Sequence, residues 1–269
     1  MKVAVAAVQL EAVWSDKPKN LQMAAMVMDQ AVEAGASLLV LPELWNSGYD
    51  PTQFRDLPLQ AEDLNGPSIE FLKDFARRRQ VMIGGGSFVE AKHGKLYNTS
   101  VFISAKGEIL AKYRKAHLFG EEKQYFTAGD AWTIIPQLQE MGGICFGMAT
   151  CYDLRFPEFY RNMALRGCRM FSVPVAWPTV RQAEYIILVR ARAVENRSVV
   201  ISANLFSDNG TQCGHSMVVS PYGELVAVCS EKNGYAIATV DTCELLDQHK
   251  RTAIQDRRKF LDEIDDNLL

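Results

Sequence analysis

Three stretches of this sequence place residues able to do chemistry directly beside short apolar runs. Glu43 follows Leu38–Leu41 and a proline in LPELWNSGY, the segment from Leu41 to Tyr49. Lys115 ends a strand-like run inside KYRKAHLFGEEKQYF, and Cys151 stands between a strand and a helix start in GMATCYDLRFPEFYR. Strand ends are where a layered fold presents polar side chains to a ligand. A thiol, a carboxylate and an ammonium delivered there would make a nucleophilic site. A helix N-terminus and a nearby cation favour the thiolate, which is the attacking form. The glutamate can take the thiol proton and return it to a leaving amine. The lysine charge can stabilise an oxyanion. Taken singly, a glutamate after a strand is ordinarily a loop residue and a buried cysteine is ordinarily packing; the joint pattern carries the reading.

The remaining cysteines argue for no other chemistry. All six, at 145, 151, 168, 213, 229 and 243, lack a C-x-x-C pair, so neither a zinc ribbon nor a redox motif fits. In a chain of this length without an export signal they are expected to be reduced, five of them acting as small buried hydrophobes. Four scattered histidines give no metal-ligand spacing, and His117 and His215 are expected to be structural.

The elements that must position these residues alternate along the chain. Val3–Val8 reads as a strand, and Asp16 can cap a helix through Ala34, with Leu21, Ala25, Met28 and Val32 on one face and Gly35 as its stop. Leu38–Leu41 reads as a buried strand. A helix over 68–80 feeds Val81–Ile83 and a break at Gly84–Gly86. Tyr97–Ile103 and Ile109–Tyr113 flank a hairpin signal at 105–108. Strands at Ile144–Ala149 and Met170–Val175 enclose a helix from Pro157 to Leu165, and Ile186–Val194 reads as a largely apolar helix. Val199–Ala203, Ser216–Ser220, Leu225–Val228 and Tyr235–Val240 complete the strands, and the charged tail after Cys243 is expected on the surface or on a partner subunit. No repeat or linker divides the chain, so one α/β domain over residues 1–269 is expected. The two hairpins sit badly with a barrel of eight alternating βα units.

Composition excludes several classes. With 269 residues, 48% apolar and 23% charged, the chain has an ordinary globular composition. No apolar run approaches the roughly 18 residues of a membrane helix. The opening MKVAVAAVQL lacks a signal-peptide cleavage pattern, so a cytoplasmic protein is expected. A net charge of −3 offers no basic excess for nucleic acid.

The chain resembles the nitrilase, or carbon–nitrogen hydrolase, superfamily along essentially its whole length. VAVAAVQL, LPELWNSGY, YRKAHLF, CYDLRFPE, RARAVEN and GHSMVVSPYGE match family blocks in order. The resemblance implies a four-layer α-β-β-α sandwich, paired into a homodimer or larger homo-oligomer. It implies Glu43 as general base, Lys115 as oxyanion stabiliser, Cys151 as nucleophile and Glu122 as a second active-site glutamate, with Glu121 its nearest competitor. The Tyr152 backbone N–H is then an oxyanion donor. Substrate contacts fall to Arg155, Trp177 and Tyr49, with Arg155 either gripping a substrate carboxylate or bracing the loop through Glu158 or a neighbour of Glu43. Arg190, Arg192, Glu195 and Asn196 are expected to form a polar network under the site. No metal or organic cofactor is implied. CYDLRFPE is similar to amidases, including ω-amidase-type enzymes acting on short carboxylate-bearing amides, whereas EKQYF is similar to N-carbamoyl amidohydrolases. Where many relatives carry His-Trp before the RAR segment, this chain has Glu184-Tyr185. The expected function is hydrolysis of a small aliphatic amide to acid and ammonia through a cysteine thioester, with ureido cleavage as the alternative. A non-catalytic binding module on the same fold would be expected to lack one of Glu43, Lys115 and Cys151.

Overall fold

The computed structural model describes residues 1–248. Strands β1 (Lys2–Gln9), β2 (Leu38–Val40), β3 (Met82–Lys92), β4 (Lys95–Ile103) and β5 (Ile109–Arg114) join β12 (Gly234–Asp241) in one six-stranded sheet, ordered β12-β1-β2-β3-β4-β5. The second sheet runs β11-β10-β9-β8-β7-β6, from β6 (Thr133–Leu138), β7 (Ile144–Met148), β8 (Cys168–Val175), β9 (Val199–Asn204), β10 (Met217–Val219) and β11 (Leu225–Val228). The longer helices are α1 (Lys17–Glu33), α3 (Pro67–Arg79), α5 (Pro157–Leu165) and α6 (Gln182–Asn196). Short helices α2 (Leu57–Gln60), α4 (Glu122–Tyr125) and α7 (Thr242–Gln248) complete the described chain.

Alternation along β1 shows how the layers stack. Val3, Val5 and Ala7 point into the core shared with the second sheet, while Ala6 and Val8 face a separate core under α1 and α3. A strand covered on both faces needs apolar residues at successive positions, which is why these strands read as runs. Between the sheets Phe102 meets Phe146 with ring centroids 5.0 Å apart. On the far side Tyr160 and Met163 of α5 and Val189 and Ala193 of α6 join that inner core. The result is the expected α-β-β-α sandwich. No helix among the described residues is long and apolar enough to cross a membrane.

Three local expectations are corrected. The buried stripe of α1 is Ala24, Val27, Met28 and Ala31, with Leu21, Ala25 and Val32 only half-buried. The stripe also includes Asn20, whose amide binds Val13 and the Asn46 carbonyl; a satisfied polar residue on the buried face hides it from a hydrophobic pattern. The glycines at 84–86 do not break the strand: β3 runs through them to Lys92, with a register shift between Gly84 and Ser87. Strand β6 was not expected, because its Pro136 and the left-handed Gln137 interrupt any alternation at this sheet edge. The tail after Cys243 begins inside α7, and its remainder lies outside the described residues.

One charged cluster fastens β3 to β4 and β5. Glu90 accepts from Thr99, Lys112 and Arg114 at 2.7–3.0 Å. Burial works against its charge, but the bonds from Arg114, Thr99 and Lys112 prevail and hold the carboxyl at about 2, against 4.5 for a free glutamate. Because the folded value is depressed, the stabilisation is complete above about pH 4.5 and lost as pH falls towards 2. Glu90→Gln is therefore expected to melt lower at neutral pH and to show a shallower fall in Tm between pH 5 and pH 3 than the unchanged protein (thermal melts across roughly that range).

Candidate active site

The loops after β2, β5, β7 and β8 converge at one end of the two sheets. Glu43 follows β2 in the first sheet, yet its N–H reaches the Val175 carbonyl at the end of β8 in the second, 3.3 Å away. The 84–86 glycines permit this loop. A Cβ on Gly86, where φ is +64°, would lie 2.2 Å from the Pro42 oxygen and 2.6 Å from the Trp45 ring. With no side chain there, Ser87 N–H reaches Pro42 at 3.1 Å, the Ser87 hydroxyl accepts from Leu44, and Trp45 donates to Gly85. What reads in sequence as a breaker is a close approach of backbones.

Lys115 lies just past β5, its N–H bonded to the Asn98 carbonyl. Its ammonium donates to Glu43 Oε1 at 2.7 Å and to Glu122 Oε1 at 2.8 Å, and all three side chains are fully buried. Burial alone would lower the lysine, but the Glu122 and Glu43 charges raise it well above its usual range, so it stays cationic. Glu122 starts α4, where its second oxygen accepts from Phe119 N–H and its first also from Tyr49. Burial raises its carboxyl, with Lys115 opposing. Asn98 donates to Glu43 Oε1 at 2.8 Å, while Glu43 Oε2 has no hydrogen-bond partner among the described residues. A buried carboxylate oxygen without a partner is costly, and it is the atom able to accept a proton.

Cys151 opens a short 3-10 turn, Cys151–Arg155, between β7 and α5. Its φ is +46°, a left-handed conformation that a residue with a Cβ adopts only under constraint. Asp153 supplies the constraint. Its Oδ2 accepts from Thr150 N–H at 2.7 Å, closing a capping box, and from the Tyr113 hydroxyl at 2.6 Å; its Oδ1 faces His117 Nδ1 at 2.7 Å. His117 in turn stacks on Phe156 with centroids 3.7 Å apart. The thiol is pushed well above its usual range, first by burial and then by the Glu43 charge, with Lys115 pulling the other way. The cation does not outweigh burial and the adjacent carboxylate, so the thiol holds its proton until a base removes it. A neutral thiol beside a carboxylate with an open oxygen suits proton transfer during attack.

The structure brings Tyr49, Cys151, Tyr152, Arg155 and Trp177 onto one cavity of about 420 Å³, which Phe119 and Arg181 also line. Trp177 is fixed by Nε1 donating to Arg181 O and by its N–H donating to Asn204, and it stacks on Tyr185 at 5.7 Å. Arg155 pairs not with Glu158 but with Glu184 of α6, and lies 5.3 Å from the Trp177 ring. Arg192 donates to Leu154 O and Glu195, and Asn196 to Arg192 O, so these three form the expected network behind the Cys151 turn. Arg190 instead holds the Gly223 carbonyl. Asn98 and Asp153 were missed; each is one buried polar residue in a strand or turn, with no spacing signal to mark it. All six cysteines are free, but Cys243 is exposed and Cys145 half-buried, so they are not uniformly core. No cluster of three potential metal ligands occurs among the described residues.

The chain is similar over most of its length to known proteins. The family described as Carbon-nitrogen hydrolase matches residues 4–247. An Arabidopsis thaliana protein named omega-amidase, chloroplastic, is 34% identical, over 90% of this chain and 68% of its own. A crystal structure from Saccharomyces cerevisiae, of a member of branch 10 of the nitrilase superfamily, superposes with a TM-score of 0.85. It is 32% identical and covers 96% of this chain and 97% of that one. An amidase from Nesterenkonia sp. AN1, with the acetamide moiety of fluoroacetamide added covalently at its active-site cysteine, reaches a TM-score of 0.82 at 29% identity, covering 97% and 95%.

Proposed function

Because the chain belongs to the carbon–nitrogen hydrolase family, and because its buried Glu43, Lys115 and Glu122 stand beside a strained cysteine, we propose that it hydrolyses small aliphatic amides bearing a carboxylate, giving acid and ammonia. The open Glu43 Oε2 is the observation that carries this reading. Glu43 takes the Cys151 proton as sulfur attacks the amide carbon. Lys115 and the Tyr152 N–H stabilise the oxyanion. Glu43 then protonates the amine, the C–N bond breaks, and ammonia leaves a thioester on Cys151. Glu43 next takes a proton from water, hydroxide adds to the thioester carbon, and collapse releases the acid and returns the proton to sulfur. Glu122 holds Lys115 in place and helps position the water. Asn98, by donating to Glu43 Oε1, leaves Oε2 as the oxygen that handles protons.

Trp177 and Tyr49 form the walls that confine the substrate chain, and Arg155 faces its carboxylate. The relative named omega-amidase and the neighbour carrying an acetamide adduct support an amide substrate. We read residues 1–269 as one hydrolase domain, cytoplasmic and homodimeric. Exposed Leu165 on α5 and Ile187 and Val194 on α6 support pairing through those helices. Ammonia release over a panel of neutral amides, monoamides of dicarboxylic acids and N-carbamoyl amino acids tests the reading. Turnover is expected on the first two, fastest on the monoamides. Turnover confined to the carbamoyl compounds, or absent throughout, would overturn it.

A further inference from the structure

Among the described residues the cavity wall holds two arginines, Arg155 and Arg181, and no acidic residue lines it. The two cations are not equivalent. Arg155 donates Nη2 to Glu184, so part of its charge and one of its donors are already committed. Arg181 closes the turn Thr179–Arg181, is exposed, and its side chain makes no hydrogen bond or ion pair among the described residues. Its backbone is nevertheless fixed, because its carbonyl accepts from Trp177 Nε1 at 2.9 Å. The arginine is therefore anchored at the rim of the cavity beside the indole. Glu184 stands on the adjoining first turn of α6, half-exposed, where both Arg155 and Arg181 hold its carboxyl below the usual range.

Resting on the reading of an acidic amide substrate, we propose that Arg181 is a second recognition residue for the substrate carboxylate, and that Glu184 makes it so by occupying Arg155. An entering carboxylate meets Arg181 with all its donors available, whereas at Arg155 it competes with a carboxylate already in place. Glu184 and the next residue, Tyr185, put two different side chains to work at this edge of the cavity. Tyr185 is buried beneath Trp177 and bonded to Ser202, so the first turn of α6 sets both the charge at the rim and the support of the wall.

Succinamic acid and butyramide, which differ by a carboxylate in place of a methyl group, separate these roles. A charge-assisted hydrogen bond carries about tenfold or more in affinity. Arg181→Gln is accordingly expected to raise the ratio of KM for succinamate to KM for butyramide by at least about tenfold. Glu184→Gln keeps an acceptor for Arg155 but removes the opposing charge, and is expected to lower that ratio. Added salt should raise the succinamate KM less in Arg181→Gln than in the unchanged protein. A ratio unmoved in Arg181→Gln, or equal losses on both amides, would overturn the assignment while leaving amide hydrolysis intact. Failure of the unchanged protein to release ammonia from either amide would instead remove the functional reading, and this inference with it.

Discussion

Cys151→Ala is expected to abolish ammonia release and to leave the melting temperature nearly unchanged. The substitution removes one sulfur atom from a site that is 8% exposed, and alanine meets the same backbone cost at φ +46° as cysteine. Asp153, Thr150 and Tyr113 hold the turn without using that sulfur. Loss of a protease nucleophile costs about 10⁶ in kcat, and a comparable fall is expected here. Cys151→Ser should fare little better, because a hydroxyl is far harder to deprotonate than even this raised thiol. Retention of a tenth of the turnover by Cys151→Ala (roughly one decade against six) would show that another group attacks. Thiol labelling gives a parallel measurement, read peptide by peptide because Cys243 is exposed whereas Cys151 is buried: substrate should protect Cys151 alone.

Lys115→Met should be inactive for two separable reasons. The first is the oxyanion: removing one such donor costs about 10²–10³ in kcat. The second is the ground state. Lys115 is the cation that Glu43 and Glu122 share, and without it two fully buried carboxylates face each other. Breaking a buried ion pair by deleting one partner costs about 3–5 kcal/mol, so the melting temperature should fall as well. The fold can recover part of this by keeping a proton on one carboxyl, which disables the base. In the variant that carboxyl binds its proton more tightly folded than unfolded, so the stability this proton contributes should be complete below the unfolded pKa and be lost as pH rises through the folded pKa. Kinetics and melts over one pH series measure both effects. A variant with undiminished Tm and kcat would remove the lysine from both roles.

Much of this arrangement is legible in the sequence because buried strands leave a strong local signature. The runs at 3–8, 38–41 and 144–149 mark strands, and Glu43 and Cys151 follow two of them directly. Glu122, seven residues beyond Lys115, is legible only through the family resemblance of its segment and not from any local pattern. Residues whose importance depends on a distant partner leave no such trace. Asn98 matters because Glu43, 55 positions away, needs one oxygen occupied. Gly86 matters because Pro42 and Trp45 pass within contact distance of its missing side chain. Arg155 has a glutamate three positions along the chain, yet its partner is 29 away, on a helix that only the second sheet brings near. Strand β6 escaped for the opposite reason, since a sheet edge tolerates a proline that a central strand would not.

The pairing of β1 with β12, from Lys2 opposite Asp241 to Gln9 opposite Gly234, has a consequence for how the protein is made. Strand β1 acquires one of its neighbours only after some 230 further residues have been synthesised. Until then β1 presents an open row of backbone donors and acceptors, the kind of edge that templates association between nascent chains. Contacts of such long sequence separation also form slowly. The groups proposed for catalysis obey the same timetable. Glu43 and Lys115 flank strands of one sheet and Cys151 a strand of the other, so no half of the chain can assemble the site alone. Hydrolytic activity during refolding therefore reports the docking of the two halves, and it should emerge after helical signal has already returned.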